Sequence, residues 1–426
     1  MDNTLFDSIY QQNPWLKSSS EPIVHDGKYI QRVQYDFLTD PAWDHLWTIL
    51  VGPRQAGKTT LGKHLCQQLI HQQRYQNLLY LNCDYPEIRH WLKSSVFLSE
   101  AAQAFALKDY ILFIDEVQRL ENPGLLLKII ADLKLPIKML ASGSSQLEIK
   151  SKIQEHLTGR QIESVILPLS SREMDFTHQW QTILQYGSYP QVYLHESRKP
   201  ILLQELFNSY LQKDIIEFLR VGKPEVILQL LGLLAHSCGQ LLNFQQLSVD
   251  CRVNVETIRH YLDILEKTYV IKTIKPFVGN KRTELTSNPI CYFIDNGFRN
   301  QALNNFTPIE SRTDGGLLVQ NFVFQEIYKY QLQSRKNWQI CYWRTKGGAE
   351  VDFVIKTSFD TVIPIEVKFR NLAGLTLSRG YRSFLDSYQP AQGFVITKNQ
   401  FGELTYPHGR IYFIPFSALP ELFMML

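Results

Sequence analysis

Five short apolar runs alternate with stretches of helical spacing over the first 170 residues, and that alternation predicts a parallel sheet with helices on both faces. Trp47-Thr-Ile-Leu-Val51 reads as a buried strand, and Thr59 to Ile70 carries Leu61, Leu65 and Leu69 at helical intervals. Leu78 to Asn82, Tyr110 to Asp115, Pro136 to Ala141 and Ile162 to Leu167 follow as further strands, each about one helix from its neighbours. Past Pro168 the strand signals stop. Ile201 to Leu219 has Leu202, Leu206, Tyr210, Ile215 and Leu219 at helical intervals, which predicts a helical lid. From Pro224 the pattern predicts a helix over Val226 to Cys238, a short helix over Phe244 to Asp250 and a turn at Cys251-Arg-Val-Asn254. A longer helix from Val255 to Lys267 and a strand from Tyr269 to Phe277 follow, in winged-helix order. The C-terminal stretch gives a helix over Leu317 to Leu332 and strands over Trp338 to Arg344, Ala349 to Ile355, Pro364 to Phe369 and Gly393 to Thr397.

The expected fold class is therefore α/β. Its parts are an N-terminal arm over 1–36, a parallel-sheet domain over 37–170, the lid over 171–223, a winged-helix domain over 224–290 and an α/β C-terminal domain over 291–426. A length of 426 residues agrees with two or three domains, and 44% hydrophobic with 20% charged residues is ordinary globular usage. Met1 to Pro22 lacks a basic start and an apolar stretch, and no window approaches the roughly 18 apolar residues of a membrane span. Membrane insertion and secretion are not expected. Six cysteines without C-x-x-C spacing or nearby paired histidines argue against a zinc site and a disulfide framework, so a cytoplasmic location is expected. The net charge of +3 leaves the partner open.

The chemistry begins at Gly52-Pro53-Arg54-Gln55-Ala56-Gly57-Lys58-Thr59-Thr60, which completes the G-x-x-x-x-G-K-[ST] pattern between a strand and a helix. Glycines there let backbone N–H groups turn around phosphates, and the helix start adds positive potential, so the stretch marks an ATP or GTP site. Lys58 would reach the terminal phosphates and the Thr59 hydroxyl would hold Mg2+. The strand Tyr110 to Asp115 ends in two carboxylates, as a Walker B strand does. Asp115 is placed to hold Mg2+, directly or through water, and Glu116 to orient or deprotonate the attacking water. Ser144, at the end of a further strand, is the candidate sensor of the terminal phosphate, with a plain serine-rich turn as the other reading. Arg160 is a candidate for charge stabilisation, in cis or from a neighbouring subunit, or else an ordinary surface arginine.

At these residues the chain resembles bacterial and archaeal ATPases that carry an AAA-type domain followed by a domain of unknown function, often described only as ATP-binding proteins. The matching stretches are Gly52 to Thr60, Asp115-Glu-Val-Gln118, Gly143-Ser-Ser145, Leu157-Thr-Gly-Arg160, Pro168-Leu-Ser170, Gly187-Ser-Tyr-Pro190 and Tyr292-Phe-Ile-Asp-Asn-Gly-Phe-Arg-Asn300. Coverage runs from about Phe37 to the C-terminus. The resemblance implies an AAA+-like ATPase and says little of its biological task.

In the winged-helix region Asn254 is a good N-cap, and Val255, Ile258, Leu262 and Leu265 form an inward stripe. The outward residues Glu256, Arg259, His260 and Asp263 are nearly neutral, so phosphate contacts would come from Lys272, Lys275, Lys281 and Arg282. Double-stranded DNA and a protein-packing role both remain open. Toward the C-terminus, Asp352 on one strand and Glu366 with Lys368 on the next form a D…E-x-K arrangement that can hold Mg2+ and activate water for phosphodiester cleavage. It resembles the restriction-endonuclease-like core, and a salt-bridged strand is the alternative. The resemblance leads to an expected glutamate where Gln320 stands, and Glu326 is off that face. The expected function is a Mg2+-dependent AAA+-type ATPase coupled to DNA or DNA-bound machinery, as a homo-oligomer if Arg160 acts in trans. The alternatives are an ATP-gated nuclease and a nucleotide switch acting on a protein partner.

Overall fold

The computed structural model describes residues 3–18, 21–24, 27–144, 159–212, 215, 223–277 and 288–426. Ser145, Leu157, Thr158, Lys213, Asp214, Leu219, Lys281 and Arg282 lie outside the described residues. The chain forms two compact units, Met1–Leu167 and Pro168–Leu426.

In the first unit the strands β1 (Trp47–Val51), β2 (Asn77–Asn82), β3 (Tyr110–Asp115), β4 (Lys138–Gly143) and β5 (Gln161–Val165) form one sheet in the order β2-β3-β4-β1-β5. Every pairing is parallel. The central β3 and β4 are buried at each position, as strands covered on both faces must be. Strand alternation divides the core in two. Leu50, Leu78, Tyr80 and Phe113 pack with Leu61, Leu65 and Leu69 of the helix Lys58–His71. Ile49, Leu79, Leu81 and Leu112 pack with Phe97, Leu126 and Ile130 of the helices Val96–Ala104 and Pro123–Asp132.

The N-terminal arm has a structural task that no periodicity announces. β2 is an edge strand, and an open edge leaves backbone groups unpaired. The helix Asn3–Gln12 and the turn after it cover that edge with side chains. Asn13 accepts from the Tyr80 N–H at 2.6 Å and donates to the Tyr80 carbonyl at 2.8 Å. Trp15 donates to the Leu78 carbonyl, and Gln12 accepts from the Asn82 N–H, both at 2.8 Å.

The second unit is built on β6 (Ile271–Pro276), β7 (Ile290–Phe293), β8 (Gln339–Arg344), β9 (Glu350–Lys356), β10 (Val362–Lys368), β11 (Gln392–Thr397), β12 (Gly402–Tyr406) and β13 (Gly409–Pro415). They form a mixed eight-stranded sheet in the order β12-β13-β11-β10-β9-β8-β6-β7. β6 pairs antiparallel with β7 and parallel with β8, so the sheet runs unbroken through the border expected at 290. The helix Gly315–Gln333 packs on β7 and β10, and the helix Arg379–Tyr388 packs on β9.

Helices Phe176–Tyr186, Pro190–Leu194 and Lys199–Tyr210 occupy the stretch expected to form a lid, and they are anchored within the second unit. Phe176 stacks on Phe322 at 5.1 Å and Tyr189 on Phe298 at 4.9 Å. A buried polar network ties the motifs Gly187 to Pro190 and Tyr292 to Asn300 together. Asp295 accepts from the Ser188 N–H at 2.7 Å and caps the helix Asn296–Ala302 through the Phe298 N–H. Gly187 has φ 80°, and a Cβ there would stand 2.0 Å from the Asp295 carboxylate, so glycine is required twice over. Lys329 donates to the Leu169 carbonyl at 2.7 Å and to Glu326 at 3.0 Å. Glu326 in turn accepts from the Ser171 N–H, which spends this acid on architecture.

Candidate functional site

The parallel register brings the ends of three strands to one edge, with Val51 opposite Gly143 and Ile114 opposite Ala141. Gly52, Asp115 and Ser144 therefore leave the sheet side by side. At Gly52, with φ 146°, a Cβ would stand 2.1 Å from the Ile166 carbonyl oxygen, so the loop passes where only glycine fits. Gln55 at φ 57° and Gly57 at φ 94° turn through the left-handed region, the backbone habit of anion-binding nests. Gly57 is the N-cap of the helix Lys58–His71. Lys58 is buried and donates to the Gly52 and Pro53 carbonyls at 2.9 and 2.8 Å, so its ammonium lies over the loop. Arg54 and Ala56 complete the loop, and Thr60 is exposed on the first helical turn.

Asp115 is held by four donors. Thr59 Oγ1 at 2.6 Å and the Tyr80 hydroxyl at 2.8 Å donate to Oδ2. The Ser142 hydroxyl and the Glu116 N–H donate to Oδ1. Glu116 follows in a left-handed backbone at φ 55°, an uncommon conformation for a residue with a side chain. Gln118 Nε2 donates both to Glu116 Oε2 and to Ser144 Oγ, joining the two sequence candidates through one amide. The arrangement offers hard oxygen donors beside a phosphate loop and a second carboxylate one residue away, which is what metal-assisted phosphoryl chemistry needs.

Arg160 is not brought to this edge. Its carbonyl accepts from the Trp47 N–H at the start of β1, and its guanidinium pairs with Asp132 at 2.8 Å. Five residues of parallel strand separate that end from the loop, roughly 16 Å at strand rise, so the cis reading is corrected by the direction of β1 and β5. Sequence reasoning gave no role to Tyr80, Ser142 or Arg32. Arg32 donates to the Ala56 carbonyl at 2.9 Å and the Leu167 carbonyl at 2.6 Å, bracing the loop from the N-terminal arm. A tyrosine within the apolar run of β2 is the one signal that sequence offered for these three.

Residues 44–175 match the AAA domain family, 177–308 a domain of unknown function (DUF8612) and 315–419 a second domain of unknown function (DUF4143). The chain carries an AAA domain followed by two domains of unknown function. An uncharacterized protein of Haemophilus influenzae is 25% identical over 350 residues, covering 75% of this chain and 82% of the relative. One of Mycobacterium tuberculosis is 24% identical over 353 residues, covering 81% and 74%. One of Methanocaldococcus jannaschii is 21% identical over 442 residues, covering 91% and 88%. Among solved structures, a Walker-type ATPase of Pyrococcus abyssi aligns at TM-score 0.44 and 14% identity, over 66% of this chain and 98% of that one.

The second unit holds the other carboxylate cluster. The antiparallel ladder sets Ile365 opposite Phe353, which brings Glu366 beside Asp352 at its end. Asp352 accepts from the Val367 N–H at 2.7 Å and from Gln320 Nε2 at 3.1 Å. Burial pushes its carboxyl up to about 7, the Val367 N–H opposes that, and the neighbouring Glu366 charge adds to the rise. Glu366 Oε1 accepts from Ser378 at 2.7 Å and from Lys368 at 3.0 Å, while its buried Oε2 has no hydrogen-bond partner among the described residues. Gln320 also donates to the Tyr292 hydroxyl at 3.0 Å, and it lines, with Asp352, a cavity of about 480 Å³. Among the described residues no group of three His, Cys, Asp or Glu side chains is arranged to hold a metal ion.

In the middle of the chain, Asn254 caps the helix Val255–Lys267 by accepting from the Thr257 N–H at 2.7 Å. Glu256, Arg259, His260 and Asp263 are exposed. Two of those charges are engaged locally, Arg259 over the Phe244 ring at 4.1 Å and Asp263 with Lys267 at 2.6 Å. No helix among the described residues is long and apolar enough to cross a membrane.

Proposed function

We propose that this chain hydrolyses ATP with Mg2+ at the phosphate loop. The observation that carries the reading is the contact between Thr59 Oγ1 and Asp115 Oδ2 at the mouth of the loop, because it pairs the two oxygen donors that a P-loop enzyme uses for magnesium. Backbone N–H groups of 52–57, the Lys58 ammonium and the start of the following helix hold the phosphates. Mg2+ on Thr59 and Asp115 would neutralise charge on the bridging phosphate oxygens. Glu116 takes a proton from the attacking water, and Gln118 keeps Glu116 and Ser144 in register so that Ser144 feels the terminal phosphate. Arg160 contributes only if a second copy presents it, which makes a homo-oligomer part of that role. The direct test is Mg2+-ATP turnover, expected in the unaltered chain and absent in Lys58→Ala.

The chain is read further as coupling that turnover to double-stranded DNA or DNA-bound machinery in the cytoplasm. Support comes from the order of helix, short helix, turn, capped helix and hairpin over 224–293. The neutral outward face leaves affinity to Lys272 and Lys275, with Lys281 and Arg282, which lie outside the described residues, as further sequence candidates, so binding should weaken steeply with salt. Turnover that ignores DNA, with no salt-sensitive affinity, would instead favour a nucleotide switch read by a protein partner. A second reading, Mg2+-dependent strand cleavage at Asp352, Glu366 and Lys368, is favoured by the adjacency of the two acids and the unpartnered Glu366 Oε2. Nicking of a supercoiled plasmid that disappears in Asp352→Ala and in Glu366→Ala, with ATP binding intact, is the result that reading requires.

A further inference from the structure

Tyr80 touches both the Walker-type carboxylate and the N-terminal segment. Its hydroxyl donates to Asp115 Oδ2, the same oxygen that faces Thr59. Its ring is gripped on two sides, by Phe113 at 5.3 Å and by the Lys63 ammonium at 4.2 Å. Its backbone N–H and carbonyl, which a strand at a sheet edge would leave open, are both bonded by the amide of Asn13, a side chain that is fully buried. Gln12 and Trp15 fasten the residues two places on either side. The arm therefore holds β2 in place with Tyr80 at the centre of the grip, and Tyr80 hands that position to Asp115.

We propose that Tyr80 is a positioning residue for Asp115, and that the N-terminal segment sets the magnesium demand of the ATPase through Asn13 and Tyr80. This rests on the ATPase reading above. The physical argument is directional. An oxygen that shares its lone pairs between Thr59 and Tyr80 keeps one donor when the Thr59 hydroxyl turns to a metal, so the carboxylate stays aimed at the site. Without Tyr80 that oxygen has no remaining protein donor, and only the Ser142 and Glu116 bonds to the other oxygen still orient the carboxylate. The consequence is weaker magnesium binding with little change in how phosphates meet the loop.

The test is a magnesium titration of ATP turnover in full-length Tyr80→Phe, beside a fluorescent ATP analogue bound in EDTA and a thermal unfolding curve. The half-saturating Mg2+ concentration is expected to rise about tenfold, the effect of losing one charged hydrogen bond, while metal-free nucleotide affinity and unfolding temperature hold. Asn13→Ala should move the magnesium requirement in the same direction and less far. Asn13→Ser keeps an uncharged polar group too short to bond both the N–H and the carbonyl of Tyr80, so it serves if Asn13→Ala fails to fold. An unchanged magnesium requirement in Tyr80→Phe, with Lys58-dependent turnover present, overturns the proposal and spares the ATPase reading. A shift in Tyr80→Phe with none in either Asn13 variant overturns the link to the N-terminal segment. Absence of Lys58-dependent turnover in the unaltered chain overturns both.

Discussion

Asp115 and Asp352 are both strand aspartates with a second acid close by, and their surroundings differ. Asp115 receives three hydroxyls and one N–H at the open end of a parallel sheet, beside a helix start. Asp352 lines a cavity, receives one N–H and one amide, and has Glu366 across the ladder. The first setting stabilises a carboxylate with donors that can be redirected to a ligand. The second leaves burial dominant, so the carboxyl is driven toward the neutral form near pH 7. Two acids near each other on strands therefore do not define one chemistry. The donors around each acid, and whether they can be redirected to a ligand, set what it can do.

The comparison breaks most visibly at Glu116. Glu116→Gln should lower ATP turnover by about 10²- to 10⁴-fold while nucleotide affinity persists, measured by steady-state kinetics and equilibrium binding. Retained turnover would remove the general-base role from the first site. Asp352 sharpens the contrast through pH. Its folded value near 7 lies above its ordinary range, so between about pH 4 and 7 the folded chain holds a proton that the unfolded chain releases. The resulting stability is full below that window and is lost as pH rises through it. Asp352→Asn should flatten this part of the curve and stand above the unaltered chain at pH 8, read from denaturant unfolding at each pH. Parallel curves would show that burial does not dominate there. Gly52→Ala should destabilise the first unit by about 1–3 kcal/mol, because the added methyl meets the Ile166 carbonyl. Arg160→Ala is the smallest change, expected to leave single-chain turnover untouched, and a loss that appears only at concentrations where copies associate would assign Arg160 to a neighbour.

Much of the first unit was legible because its signals are local. β1, β2 and β3 are nearly continuous apolar runs, and the loop motif spans nine consecutive residues from Gly52 to Thr60. What sequence missed there acts over distance or through backbone. Asn13 bonds the main chain of Tyr80, 67 positions on, and a buried asparagine beside an edge strand carries no periodic mark. Arg160 shows the opposite failure, since its motif was found but the strand that follows it points the residue away from the loop. In the second unit β10 is legible from the alternation of Ile365 and Val367 with Glu366 and Lys368. The pairing of β6 with β8 depends on contacts across a wide stretch of chain, and β12 and β13 carry a weaker alternation that was not read.

The measurement closest to the central claim is steady-state Mg2+-ATP hydrolysis by the purified full chain, with and without duplex DNA, beside Lys58→Ala. The account predicts turnover that Lys58→Ala abolishes and that duplex DNA raises several-fold. Turnover equal in both proteins would contradict the phosphate-loop site itself, and Lys58-dependent turnover indifferent to DNA would contradict the coupling and leave the nucleotide switch.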